Sequence, residues 1–233
     1  QFAAVLPEAR VVAQTLASLE REVTMRLADR FGQAYCVDEL LEAGFLERTF
    51  EGGLVFVHDR LRETIVASIS DEDRPLRHAR IVEVLGDAEQ AYPGELARHR
   101  LRAGDHAGAM EELLTIARDP GVQNAQPDRA LSCYAEIVEL DDVHTLLVPQ
   151  NRTEVEVERV RLMSFVGDKL QAIEAARSLL AEPLAILSEI ELLWCLAYSF
   201  LNVGEVPEAW EALEQALHLW GDLQEDPTHW VLG

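Results

Sequence analysis

Apolar residues recur three or four positions apart along most of the chain, the spacing of one helix face, and the pattern changes only near residue 50. Residues 1–30 are rich in Ala, Leu and Val with Pro7 as an early breaker, and Leu16 to Leu27 keeps helical spacing. A second short helix fits Cys36 to Glu42, with Gly44 as its stop. Phe45, Leu46 and Phe50, the Glu51-Gly52-Gly53 turn and the run Leu54 to Val57 predict a β-hairpin near 45–58. Asp59 is placed to cap the next helix, which carries Leu61, Ile65, Val66 and Ile69 on one side. Asp71 opens another, with Leu76, Ile81, Val82 and Leu85 inward.

From Glu95 onward only helices and short connectors are predicted. Gly104-Asp105 and Asp119-Pro120-Gly121 break the chain, and residues 121–128 have the composition of a linker. The last third repeats: Met163 and Phe200, Gly167 and Gly204, Ala172 and Ala209, and Leu180 and Leu217 are each 37 residues apart. That period fits stacked helical hairpins, whose single units cannot bury an apolar face alone. In the clearer copy, Ile186, Ile190, Leu193, Ala197 and Phe200 line one helix. Gly204 turns the chain, and Val206, Ala209, Trp210, Leu213, Ala216, Leu217 and Trp220 line the returning helix. Trp210 and Trp220 are therefore expected in the core. Trp194, at the edge of its stripe, either packs there or lines a groove with Glu191 nearby; these two are the candidate partner-binding residues.

The expected fold is mostly α: a small winged-helix unit over residues 1–90, then a tetratricopeptide-like superhelix over 91–233 that continues beyond the C-terminus.

Charge narrows the function. The chain carries a formal net charge of −22, which argues against direct nucleic-acid binding, since phosphates need a basic surface. Even the arginine-rich stretch 59–102 holds eight arginines against nine acids. Beyond Arg177 there are ten Asp and Glu and no Lys or Arg. This is either a solvated acidic face or a groove that attracts a basic partner. Cys36, Cys133 and Cys195 are scattered, as small core residues of a reducing compartment are. No run reads as long and apolar enough for a bilayer, and no signal pattern opens the chain, so no membrane contact and a cytoplasmic location are expected.

Two sets of residues carry a resemblance. Leu193, Leu196, Ala197 and Phe200, then Gly204, Ala209, Leu213 and Ala216, resemble a tetratricopeptide repeat, with Gly221 where that family usually has proline. Weaker copies run through Gly167 and Ala172, and through Leu96-Ala97, Gly104, Ala109 and Leu113. The succession Phe56-Val57-His58-Asp59-Arg60-Leu61-Arg62-Glu63, Arg77-His78, Glu95-Leu96-Ala97-Arg98-His99 and Ala103-Gly104-Asp105 is similar to the part following the ATPase core in STAND-type signal-transduction ATPases. That class includes the large LuxR-type transcription regulators. The resemblance covers roughly residues 1–220 and implies a regulatory segment working with an adjacent ATPase domain. It also implies a role for His58. Val57-His58-Asp59 is similar to the Met-His-Asp motif whose histidine contacts the diphosphate of ADP in related switch ATPases, with Val57 in place of methionine. His58 otherwise caps or packs at a strand–helix junction.

The sequence holds no Gly-rich phosphate-binding loop; its one lysine, Lys169, follows Asp168 in a helix. No cofactor is expected in this segment, though ATP or ADP belongs to the implied parent, and the chain reads as a fragment of it. His99 and His106 have no third metal ligand at suitable spacing and read as exposed helical histidines, with Glu95 and His99 a surface pair. No nucleophile has a visible base, so no enzyme and no metal site are expected. The partner is then a protein or a small-molecule inducer. The alternative is a free-standing tetratricopeptide adaptor that holds a basic peptide or protein in an acidic groove.

Overall fold

The computed structural model describes residues 2–86, 92 and 94–225. Its chain groups into two compact units, Gln1–Glu112 and Leu113–Gly233. The expected boundary near residue 90, Trp230 and the chain end lie outside the described residues.

The first unit opens with α1 (Pro7–Ala17), β1 (Val23–Thr24), α2 (Met25–Phe31) and α3 (Ala34–Glu42). The hairpin β2 (Leu46–Arg48) and β3 (Gly53–Phe56) follows, then α4 (Asp59–Ala67), α5 (Asp73–Gly86) and α6 (Glu95–Ala103). Helix, strand, two helices and a hairpin is the order of a winged helix. The antiparallel sheet runs β1-β3-β2, with Val23 opposite Leu54 and Leu46 opposite Phe56. Gly52 sits at φ 84° in the turn, a left-handed conformation that a side chain would strain.

Leu16 to Leu27 is not one helix. Helix α1 ends at Ala17, Glu20 turns the chain at φ 60°, and β1 begins at Val23. Leu16, Leu19, Val23 and Leu27 are all buried in one core with Val37, Leu40, Leu54, Ile65 and Ile81. A turn and a strand edge thus satisfy the same three- and four-residue spacing that a helix would. Thr24 then caps α2 by accepting from the Leu27 N–H at 3.2 Å.

Other boundaries also move. The N-cap of α4 is His58, and Asp59 is the first helical residue, near the positive end of the helix dipole. Helix α5 starts two residues after Asp71. Ser70 and Asp73 bond reciprocally there, Asp73 N–H to Ser70 Oγ at 3.1 Å and Ser70 Oγ to Asp73 Oδ2 at 2.8 Å. Leu76 is exposed, because the buried stripe of α5 is His78, Ile81, Val84 and Leu85.

Helix α7 (His106–Arg118) contributes residues to both units. The second unit continues with α8 (Pro120–Ala125), α9 (Pro127–His144), α10 (Pro149–Val166), α11 (Lys169–Leu180), α12 (Ile186–Val203) and α13 (Val206–Glu225). The linker-like stretch 121–128 is largely helical. Asp119 Oδ1 accepts from Gly121 N and Val122 N at 2.7 and 3.0 Å, and Pro120 suits the first turn, so a polar sequence still makes a capped helix. The 37-residue repeat marks two hairpins, α10–Gly167–α11 and α12–Gly204–α13. Val157, Val160, Ile173, Ala176, Leu192, Leu196, Phe200, Ala209 and Ala216 form their shared core. Ala172 and Ala209, equivalent across the repeat, are both buried where neighbouring helices approach.

Helix α12 corrects a second expectation. By length and composition it is apolar enough to cross a membrane. In this fold it packs against α10, α11 and α13, burying Ile190, Leu192, Leu193, Leu196, Ala197 and Phe200.

Candidate functional site

Helix α12 is apolar on more sides than its core contacts use. Besides the buried stripe it carries Leu187, Glu191, Trp194, Tyr198 and Leu201, spaced by four, three, four and three residues, a second face one helical width across. On α13 the series Val206, Trp210, Leu213, Leu217 and Trp220 has the same spacing. The hairpin sets the two series side by side as the walls of two hollows. One of about 330 Å³ is lined by Trp194, Tyr198, Leu201, Val206, Trp210 and Leu213. The other, of about 610 Å³, is lined by Leu187, Ile190, Glu191, Trp194, Leu217 and Trp220. Trp194 belongs to both.

This face corrects the placement of two tryptophans. Trp210 and Trp220 were expected in the core but are 61% and 42% exposed, as Trp194 is at 51%. The core side of α13 is taken by Ala209, Ala212, Ala216 and Leu223, whose small side chains let the helices close up and leave the indoles outside. Trp210 Nε1 donates to Glu214 Oε1 at 2.6 Å, one turn on. Glu191 is held by Arg161 at 3.3 Å. Tyr198 meets Phe165 of the preceding hairpin with ring centroids 4.9 Å apart, and Lys169 Nζ lies 5.8 Å from the Tyr198 ring. The exposed aromatic surface thus extends from α13 across α12 to the end of α10.

His58 stands where β3 passes into α4, exposed, with extended backbone (φ −146°, ψ 139°) and no side-chain bond to the helix N-terminus. Its ring is presented outward. It lies in the first unit and Trp194 and Glu191 in the second, so they form separate candidate sites.

The histidines behave differently from the sequence reading. His99 is fully buried, and its Nδ1 lies 2.9 Å from Nδ1 of buried His78, with the rings stacked 5.1 Å apart. One Nδ1–H must donate to the other, unprotonated Nδ1. Burial pushes His78 down to about 4, with Arg102, Arg74 and Arg98 adding to it and Glu20 opposing. Burial, then the neighbouring His78, pushes His99 to about 3. Glu95 is buried too. It accepts from Arg21 Nε at 2.7 Å and from the Tyr92 N–H at 3.1 Å, so its partner is an arginine 74 residues earlier rather than His99. Helical spacing pairs Glu95 with His99 on one face, but cannot show that the face is turned inward.

Among the described residues, no group of three or more His, Cys, Asp and Glu is placed to hold a metal. The three cysteines are buried and unpaired, and burial raises the thiols of Cys133 and Cys195.

No protein-family model and no curated protein matches the chain. Among solved structures it is similar to the signal transduction ATPase with numerous domains (STAND) protein with a tetratricopeptide repeat sensor from Pyrococcus horikoshii. The TM-score is 0.57 at 12% sequence identity, over 98% of this chain and 34% of that one. The likeness is one of fold, and the chain spans about a third of the length of that structure.

Proposed function

We propose that this chain is the regulatory and sensor segment of a STAND-type signalling ATPase, a transcription regulator by its class. The winged helix gates a separate nucleotide domain, and the helical repeats take up an inducer or a protein partner. One observation carries the reading: a winged helix followed by helical hairpins runs, over 98% of this chain, in the fold of a protein described as a STAND ATPase with a tetratricopeptide repeat sensor. The exposed His58 at the β3–α4 junction supports it, since its ring is available to a neighbouring domain.

In this reading the segment binds and does no chemistry of its own, and the cytoplasm is where it works. A ligand seated on the repeats shifts the closed–open balance by the difference between its affinities for the two states, typically about 1–3 kcal/mol. The test joins the segment to its nucleotide domain. His58→Ala is expected to loosen retained ADP while leaving the melting point of this segment alone unchanged. Unaltered ADP retention, or ATP turnover by this segment alone, overturns the reading.

A second reading, a free-standing adaptor for a basic peptide or protein, draws on a specific observation. Ten acids and no Lys or Arg follow Arg177, around an exposed aromatic face. A pull-down that releases its partner as salt rises favours it over the first.

A further inference from the structure

We propose that the exposed face of the α12–α13 hairpin docks a cationic amphipathic helix, with Leu-like anchors at helical spacing and Lys or Arg beside them. The inference rests on reading the repeats as a binding segment and names the chemistry of what they bind.

Shape gives the first half. Leu187 to Leu201 on α12 and Val206 to Trp220 on α13 each span fourteen residues, about 21 Å of helix at 1.5 Å per residue. The trough between them suits a guest helix of about four turns. Its walls are almost wholly apolar, and both hollows open on Trp194, Trp210 and Trp220, large side chains that anchor well when water leaves. An apolar stripe with three-four spacing interlocks with such a face as one helix packs on another.

Charge gives the second half. Glu211, Glu214 and Asp222 are exposed on α13, and Glu214 is already bonded to the wall residue Trp210. Helical geometry places all three along the outer flank of the trough, beside Trp210 and Leu217. Glu191 lies within the trough itself. A second copy of this chain would bring the same acids to face one another, at a net charge of −22 on each copy. A guest with flanking Lys or Arg meets the same field as attraction.

The test uses the chain and a designed probe, a fifteen-residue helix with leucines on one stripe and lysines on the rest. Controls are the same composition scrambled and a Leu/Glu version. Binding is read by tryptophan fluorescence and calorimetry. The Leu/Lys helix is expected to bind, weaken as salt rises, and weaken about tenfold with Trp194→Ala or Leu217→Ser. Both residues are exposed, and unchanged circular dichroism and melting point verify that the variants fold. Glu211→Gln with Glu214→Gln and Asp222→Asn should reduce binding without touching the apolar walls. Equal binding of the scrambled peptide, or no effect of the wall variants, overturns the proposal and leaves only bulk charge attraction. Self-association of the chain that Leu217→Ser abolishes would make a second copy the occupant. Tighter binding after removal of residues 226–233 would make it the chain's own end. In each failing case, a metabolite that raises the melting point through the repeats would still support the sensor reading.

Discussion

Arg21 holds the most exacting place among the charged side chains of the first unit. Its Nε is 2.7 Å from a carboxylate oxygen of Glu95, which is 3% exposed, and its guanidinium lies 4.8 Å over the Tyr92 ring. Removing it leaves a buried charge with only the Tyr92 N–H, so Arg21→Ala should cost about 3–5 kcal/mol in urea unfolding. Arg21→Ala combined with Glu95→Gln should cost clearly less than the two separately, because the stranded charge is gone. His58→Ala should change stability by less than about 0.5 kcal/mol, since that exposed ring makes no bond to the helix end. The His78–His99 pair adds a pH dependence with a definite sign. Both rings titrate near 6.5 when free but are held neutral in the fold down to about 4 and about 3. Their contribution is therefore flat above 6.5 and is lost as pH falls below it, because the unfolded chain takes up protons that the native state refuses. The slope is up to about 1.4 kcal/mol per pH unit for each histidine. Replacing both by Leu should flatten the pH 4–6.5 limb of a urea-midpoint series; an unchanged limb would contradict the buried pair.

The hairpin α12–α13 shows what an element requires and what it conceals. Gly204 turns the chain at φ 88°, while Glu205 N–H bonds back to Phe200 O at 2.9 Å, closing the helix end. No atom crowds that glycine, so Gly204→Ala tests backbone strain alone and should cost about 1–2 kcal/mol by thermal unfolding. Gly167, its repeat equivalent, is in extended backbone at φ −95°, and a Cβ there would meet Met163 backbone at 3.1 Å. The same substitution there would therefore fail by contact rather than by φ. This hairpin was legible in the sequence because its Gly and its small residues recur 37 positions apart. The winged helix was legible through the Gly52-Gly53 turn and the runs beside it. Strand β1 was not, since two residues have no period, and Val23 keeps the spacing of the helices around it. The candidate face was half legible. Apolar spacing puts Trp210 on a stripe, but α13 has one stripe facing the core and another facing solvent, less than a quarter-turn apart. Which is buried depends on whether Ala209 and Ala216 admit the neighbouring helix. For His99 the missing information was the position of α5, which no local pattern in α6 encodes.

At the scale of the molecule, charge rather than any contact sets the response to solvent. Forty-two acids face twenty Lys and Arg, leaving 22 negative charges in excess at pH 7. Most ion pairs here involve exposed partners, as in Arg80–Glu83 and Arg102–Glu20 at 2.6 and 3.3 Å, and such pairs contribute little to stability. Added salt weakens them and also weakens repulsion among the unmatched acids, and the two effects oppose each other. The unmatched acids are more numerous, and the repeat end from Ser178 onward has acids without any Lys or Arg, so relief of repulsion wins. Raising salt from about 0.01 to 0.5 M, where the screening length falls from about 30 Å to a few ångströms, should therefore raise the melting temperature. The Glu211, Glu214 and Asp222 substitutions to Gln and Asn should raise it at low salt and reduce its salt dependence, while the same number of changes around Arg74 and Arg80 should not. If salt lowers the melting temperature instead, the surface ion pairs outweigh the excess charge. The acidity of the α12–α13 end would then be no burden on the fold that a cationic guest relieves.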